Sequence, residues 1–353
     1  MTIDWLLNAP NVQEVDASDF NDVFLQLNEQ TQPLVIRGLV SHWPVVKLAQ
    51  SGDVALLDYL AGFGTDEPVT VYRAGPEAQG RIFYDDGFQG GNFQAAFKGL
   101  FDVLSLVLQE SKAKTGTTYY LGSTLLDQFL PGFRAQNDLP TQLENFEPLV
   151  SLWLGNKSRI AAHYDFPQNL ACCISGKRRF TLFAPELVDA LYPGPIEITP
   201  AGQPISLVDF YHPDLTRYPK FEQAMQQAIV AELAPGDALF LPSMWWHHVE
   251  SLSGINTLIN YWWRNTPAYM GSPSDVLTHA LLGLKSLPSS QKQAWKALFN
   301  YYLFDDADKP EAEKTAAYQP EPMQTGLTWQ KEGLSAEQAR KLQLRLHNRL
   351  RIK

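Results

Sequence analysis

His163-Tyr164-Asp165 closes an apolar run that begins near Arg159, and Asp165 follows His163 by two residues. In a strand, side chains two apart share a face, so this spacing predicts an imidazole and a carboxylate side by side. A second histidine comes 84 residues after the first, in Gly236-Asp237-Ala238-Leu239-Phe240-Leu241-Pro242-Ser243-Met244-Trp245-Trp246-His247-His248. That order reads as a turn, a short strand, and a histidine at the far end. Two histidines and one carboxylate on a rigid sheet make a facial triad. This ligand set holds Fe(II) and leaves neighbouring positions open for a cosubstrate and dioxygen. His163, Asp165 and His247 are therefore the candidate metal ligands and catalytic centre. Adjacent strand side chains point to opposite faces, so one of His247 and His248 enters the site; His248 stays open as the alternative.

Around these stretches the chain is rich in short strand signals: 149–154, 159–165, 170–174, 178–183, 205–208, 228–233, 238–241 and 257–263. Many short strands with few helices between them predict a mainly β sandwich or barrel, of a size that can hold a metal in its mouth. Upstream, 33–40, 68–74, 81–84 and 117–122 read as strands. Residues 19–30 and 93–111 carry helical periodicity, with Ser18 as a cap for the first. After Pro267 the composition changes. Helices are predicted over 274–284 and 291–304, then a long polar connection over 305–329. A last helix opens at the capping pattern Ser335-Ala336-Glu337-Gln338 and runs to about residue 350. The division is thus 1–267, a catalytic domain with flanking strands and helices, and 268–353, a C-terminal helical appendage and candidate dimerisation element.

Composition bounds the partners. The 353 residues are 45% hydrophobic and carry a net charge of -10, which argues against general nucleic-acid binding. Residues 340–353 hold Arg340, Lys341, Arg345, Arg349, Arg351 and Lys353 without an acid, suggesting a local contact such as a second subunit, or a solvated basic face. The cysteines, Cys172 and Cys173, are adjacent in an apolar strand, which fits a reducing cytoplasmic setting and neither a disulfide framework nor a zinc site. No signal peptide and no apolar run long enough for a membrane span are visible.

Further residues fall in order with the triad: Gln168-Asn169, Gly176-Lys177-Arg178-Arg179, Gly236-Asp237, Trp245-Trp246-His247-His248-Val249-Glu250-Ser251 and Asn260-Tyr261-Trp262. With Pro33 to Gly38 and Trp43-Pro44 they resemble the JmjC-domain, cupin-like Fe(II)/2-oxoglutarate oxygenases. The likeness looks nearest to the asparaginyl-hydroxylase branch typified by factor inhibiting HIF, and it spans roughly residues 30 to 265. Met244 replaces the usual glycine of the second cupin motif. The resemblance implies a double-stranded β-helix (cupin or jelly-roll) fold. It also implies an enzyme, a hydroxylase that couples C–H hydroxylation of its substrate to decarboxylation of 2-oxoglutarate to succinate.

The far carboxylate of 2-oxoglutarate needs a charged partner in a semi-buried pocket. The resemblance places that partner fifteen residues after the first histidine, where this chain has Arg178 in place of lysine. Parity agrees, because Arg178 alternates with Lys177 and Arg179 and shares a face with Phe180 and Leu182. Tyr120 matches a tyrosine bonding the same carboxylate, and Asn169 and Asn260 match polar residues of the iron pocket. Trp262 and Trp246 are expected as walls of the site, with Trp245 and Trp263 as core. Tyr72, Arg73, Tyr84 and Asp85 are candidates for facing substrate. Two departures stand out: Ile160 replaces a hydroxyl residue that serves the cosubstrate, and Gly122 replaces a glutamine that contacts peptide.

A protein or peptide side chain is the first substrate expectation and a small metabolite the next. Lysine demethylation ranks lower, since nothing here resembles a chromatin-reading module. Two other readings stand beside the hydroxylase: a cupin enzyme using another metal such as Mn or Zn, and a non-catalytic regulatory cupin that binds metal and ligand.

Overall fold

Alternating side chains build two sheets that face each other across the site. The computed structural model describes residues 4–144, 146–196, 199–200, 202–267, 269–304 and 335–350. The strands are β1 Gln13–Asp16, β2 Leu34–Arg37, β3 Val69–Ala74, β4 Arg81–Ile82, β5 Gln94–Lys98, β6 Thr118–Leu125 and β7 Leu149–Gly155. They continue as β8 Ser158–His163, β9 Gln168–Ser175, β10 Arg178–Phe183, β11 Ile229–Leu233, β12 Ala238–Leu241, β13 Trp246–Ser251 and β14 Asn256–Trp263. Helices are α1 Val23–Leu27, α2 Pro44–Ser51, α3 Asp53–Ala61, α4 Leu100–Ala113, α5 Leu126–Phe129 and α6 Phe221–Gln227, then α7 Pro273–Leu284, α8 Ser289–Leu303 and α9 Ala336–Leu350.

The larger sheet has the order β1-β2-β12-β9-β14-β7-β6-β3-β5 and the smaller β11-β10-β13-β8-β4. This is the mainly β, jelly-roll architecture of a double-stranded β-helix with flanking helices. Along β9 the alternation is direct. Leu170, Cys172 and Ile174 pack outward with Phe24, Val46, Leu57 and Val103 of the covering helices. Ala171 and Cys173 face inward, toward Phe180 and Val249 of the smaller sheet. A third cluster, with Ala162, Phe183, Phe210, Phe221 and Trp246, covers the outer side of the smaller sheet.

The Gly236-Asp237 pair joins sheet to edge. Gly236 sits at φ +101°, and a Cβ there would lie 2.2 Å from Ser41 Oγ. The Asp237 carboxylate accepts from Gly38 N (3.0 Å), Ala234 N (3.0 Å) and Arg37 Nη1 (2.6 Å), pinning β2 beside β12.

The N-terminal region departs from expectation. Residues 94–98 form β5 rather than the start of a helix, and the helix begins at Leu100. Phe97 and Phe101 kept the apolar rhythm running across Gly99, yet both are exposed; pairing with β3 outweighs the local pattern. Asp22, not Ser18, caps α1. Residues 205–208 make no strand beyond a bridge from Ser206 to Pro193.

The chain divides into two compact units, 1–265 and 266–353. In the second, Ser272 caps α7 with Pro273 in its first turn. Ser335 and Gln338 cap α9 reciprocally, the predicted capping box (3.3 and 2.8 Å). Leu282, Trp295, Tyr301, Phe304 and Leu344 of this unit are exposed. The connection expected over 305–329 lies outside the described residues. Among those residues no helix is long and apolar enough to cross a membrane.

Candidate metal centre

His163 and His247 are cross-strand register partners on β8 and β13. Their rings lie 4.3 Å apart. A bulge creates this pairing: Ile160 opposes Val249, so three steps along β8 match two along β13. As a result Ile160 and His163, an odd number apart, both line the same cavity. Ala161 and Ala162 turn into other clusters. β8 ends at His163, so Asp165 is not on a strand as the two-residue spacing suggested. It stands in the following loop, with its Oδ2 3.6 Å from His247 Nε2. One ligand atom from each of His163, Asp165 and His247 lies within 4.8 Å of the others.

Both imidazoles are set the same way. His163 Nδ1 lies 2.9 Å from Ala161 O and His247 Nδ1 3.0 Å from Trp245 O. A carbonyl oxygen only accepts, so each Nδ1 carries the proton and each Nε2 lone pair is free for a metal. Burial, with the neighbouring His163, lowers the His247 pKa to about 4, keeping the ring neutral at physiological pH. His248 faces away, packed on Phe210 at 4.7 Å, which excludes it from the triad.

The cavity is about 370 Å³ and takes lining from both sheets. Every residue expected to serve a cosubstrate reaches it: Arg178, Tyr120, Asn169, Asn260 and Trp262. Arg178 is buried, and its Nε and Nη2 have no hydrogen-bond partner among the described residues. Burial pulls its pKa down, with Tyr120 opposing. Burial also pushes the Tyr120 hydroxyl well above the usual phenol range, so it is a donor. Arg179 points outward instead, bonded to Glu232 at 2.6 Å. Asn260 is satisfied across strands: its Oδ1 accepts from Trp153 Nε1 (2.7 Å) and its Nδ2 donates to Asn169 Oδ1 (3.4 Å). The Trp262 indole N–H is buried without a partner among the described residues.

Other expectations divide. Tyr72 lines the cavity, packed edge-on to Phe93 at 5.2 Å. Arg73 is exposed, Tyr84 belongs to a separate cluster, and Asp85 bonds the backbone of its own turn. Trp246 does not wall the site. Strand alternation puts it with His248 on the outer face, 4.8 Å from Tyr164. Trp245 and Trp263 are core, as expected. The wall that the sequence did not disclose is Trp153, 5.8 Å from Trp262. Its signal was the small or polar face Ser151-Trp153-Gly155 alternating with Val150, Leu152 and Leu154. Gly122 makes room for that ring, since a Cβ there would come to 3.3 Å of it.

This strand order with a two-histidine, one-carboxylate cluster between the sheets agrees with a match to the cupin-like domain model over residues 21–269. The chain belongs to the cupin-like domain family. Relatives of this cupin-like chain include the lysine-specific demethylase JMJ31 of Arabidopsis thaliana, 33% identical over 35% of this chain and 23% of the relative. The bifunctional peptidase and (3S)-lysyl hydroxylase JMJD7 of Homo sapiens is 27% identical over 66% of this chain and 77% of that protein. The tRNA wybutosine-synthesizing protein 5 of Danio rerio is 36% identical over 34% and 32% respectively. The match thus spans about a quarter of the demethylase and most of the lysyl hydroxylase. JmjC hydroxylases and demethylases are the company this cupin-like domain keeps.

Proposed function

We propose that this chain is an Fe(II)- and 2-oxoglutarate-dependent hydroxylase acting on a protein or peptide side chain. One observation supports this above the rest. A fully buried guanidinium with two unpartnered N–H donors lines the same cavity as three clustered metal ligands. A buried cation without a partner is costly, and a carboxylate-bearing ligand removes that cost.

The residues fit both groups. His163, Asp165 and His247 would hold the metal. Arg178 would pair with the distal carboxylate of the cosubstrate, joined by the Tyr120 hydroxyl. Together iron and 2-oxoglutarate supply the oxidation, linking decarboxylation to succinate with hydroxylation of a C–H bond. The protein's own part is placement and exclusion of water. Trp153, Trp262, Tyr72 and Phe93 line the cavity, and the Asn169–Asn260–Trp153 chain of bonds fixes its polar lining.

A protein substrate is favoured by the names of the lysyl hydroxylase and demethylase relatives, with a small metabolite as the next choice. The asparaginyl-hydroxylase branch remains our placement for cosubstrate handling, on Tyr120, Asn169 and Asn260; Gly122 and Ile160 depart from it. The exposed apolar residues of α7, α8 and α9 support a homodimer through the helical unit. A cytoplasmic setting is supported by Cys172 and Cys173, both buried and free.

Anaerobic titration of the Fe(II)-loaded protein with 2-oxoglutarate tests the reading. A saturating visible charge-transfer band is expected. Its absence with iron bound would favour a cupin using another metal, or a regulatory module.

A further inference from the structure

The Asp165 carboxylate stands beyond the end of β8, with His247 Nε2 3.6 Å away. β8 stops two residues earlier, and among the described residues the carboxylate accepts no hydrogen bond. Its loop is instead fastened from across the site. Residues 242–245 lead into β13 and carry three donors toward residues 165–168. Met244 N–H donates to Asp165 O at 2.8 Å. Ser243 Oγ–H donates to Phe166 O at 2.6 Å. Ser243 N–H donates to Gln168 Oε1 at 2.9 Å. The approach to one histidine ligand thus grips the chain at the carboxylate ligand and over the three residues that follow it.

Backbone conformation is committed to this contact. Met244 lies at φ +70°, a left-handed conformation that an L side chain rarely adopts. Ser243 spends both its N–H and its hydroxyl on the opposite loop. Gln168, at the first position of β9, returns the single side-chain acceptor. Outer contacts of this kind orient ligands and set how tightly a metal is held.

We propose that Ser243, with Gln168, is a positioning residue for the metal site: the latch fixes Asp165 against His247 and so sets metal affinity and ligand geometry. The proposal rests on the metal-centre reading above. A serine that merely stabilised a turn would change folding stability and leave the affinity of the folded protein untouched.

The test uses the full chain, prepared metal-free, as wild type, Ser243→Ala, Ser243→Thr, Gln168→Ala and His163→Ala. Co(II) is titrated into each, following the visible d–d bands. The unfolding midpoint of the metal-free protein is measured alongside. The expected result is Co(II) binding by wild type and none by His163→Ala. Ser243→Ala and Gln168→Ala should bind about tenfold or more weakly, with shifted bands. Ser243→Thr, which keeps the hydroxyl, should recover affinity and spectrum. Wild-type affinity and bands in both Ser243→Ala and Gln168→Ala would overturn the latch while leaving the metal centre standing. Equal binding by wild type and His163→Ala would overturn the metal centre itself, and the latch with it. If Ser243→Ala does not fold, Gln168→Ala decides alone.

Discussion

His163 and His247 face each other across β8 and β13 with ring centroids 4.3 Å apart, each Nδ1 turned to the carbonyl two residues behind it. The two lone pairs therefore converge without any side-chain partner to hold them. Replacing either histidine, or Asp165, with alanine is expected to abolish tight metal binding. The loss should exceed the roughly 10–100-fold that removal of an outer partner costs. His248→Ala should retain the metal. Calorimetric titration with Mn(II) distinguishes the four variants.

Arg178 buries its guanidinium in the cavity with Nε and Nη2 unpartnered among the described residues. Arg178→Met removes a buried charge that has no counterion among the described residues. Ligand-free stability should stay level or rise, by up to roughly 1–4 kcal/mol in chemical denaturation. The same variant should lose the thermal shift given by 2-oxoglutarate while still binding metal. Arg178→Lys should keep part of that shift, since a point charge replaces a planar fork.

Met244 occupies the left-handed region at φ +70° and is partly exposed, so its side chain contributes little to offset the strain. Met244→Val should destabilise by about 1–2 kcal/mol, because a branched Cβ suffers most there. Met244→Gly should be neutral or mildly stabilising, relief of strain competing with a looser unfolded chain. Thermal unfolding of the metal-free protein checks both.

Burial, with Arg159 and Arg81 nearby, lowers the His248 pKa to about 3. The unfolded chain, with an ordinary histidine near 6.5, binds more protons than the folded one between these values. His248 therefore supports the fold fully above pH about 6.5, and that support drains away as pH falls toward 3. His248→Gln should flatten this acid arm, read from denaturation midpoints between those limits. His247 contributes with the same sign and remains in the variant.

Much of the site was legible because its chemistry is carried by residue type and order. His163, Asp165 and His247 were identifiable by type and spacing, and Arg178 by the resemblance with parity in support, while parity alone left His247 and His248 as alternatives. What stayed hidden depends on pairing between distant segments. The bulge that lets Ile160 and His163 share a face, and the exit of Asp165 from its strand, are set by register with β13. Trp246 was misplaced although strand alternation sets it on the face opposite His247. The helix read across residues 93–111 failed because β3 offers 94–98 a partner that no local window contains. α2 and α3 went unremarked, their apolar faces buried against each other, α4 and β9, partners the local pattern does not show. Ser243 and Gln168 are 75 residues apart, and only the fold brings the Ser243 N–H to the Gln168 side-chain oxygen.

β14 is the last strand of its unit in sequence, yet it lies between β9 and β7 in the middle of the larger sheet. β12 likewise separates β2 from β9. During synthesis, then, β2 and β7 emerge with one neighbour, and β9 with both, still unmade. The sheet cannot zip shut until residues 256–263 have left the ribosome. A nascent or truncated chain ending before Asn256 would carry the complete ligand set on an open, aggregation-prone half-structure.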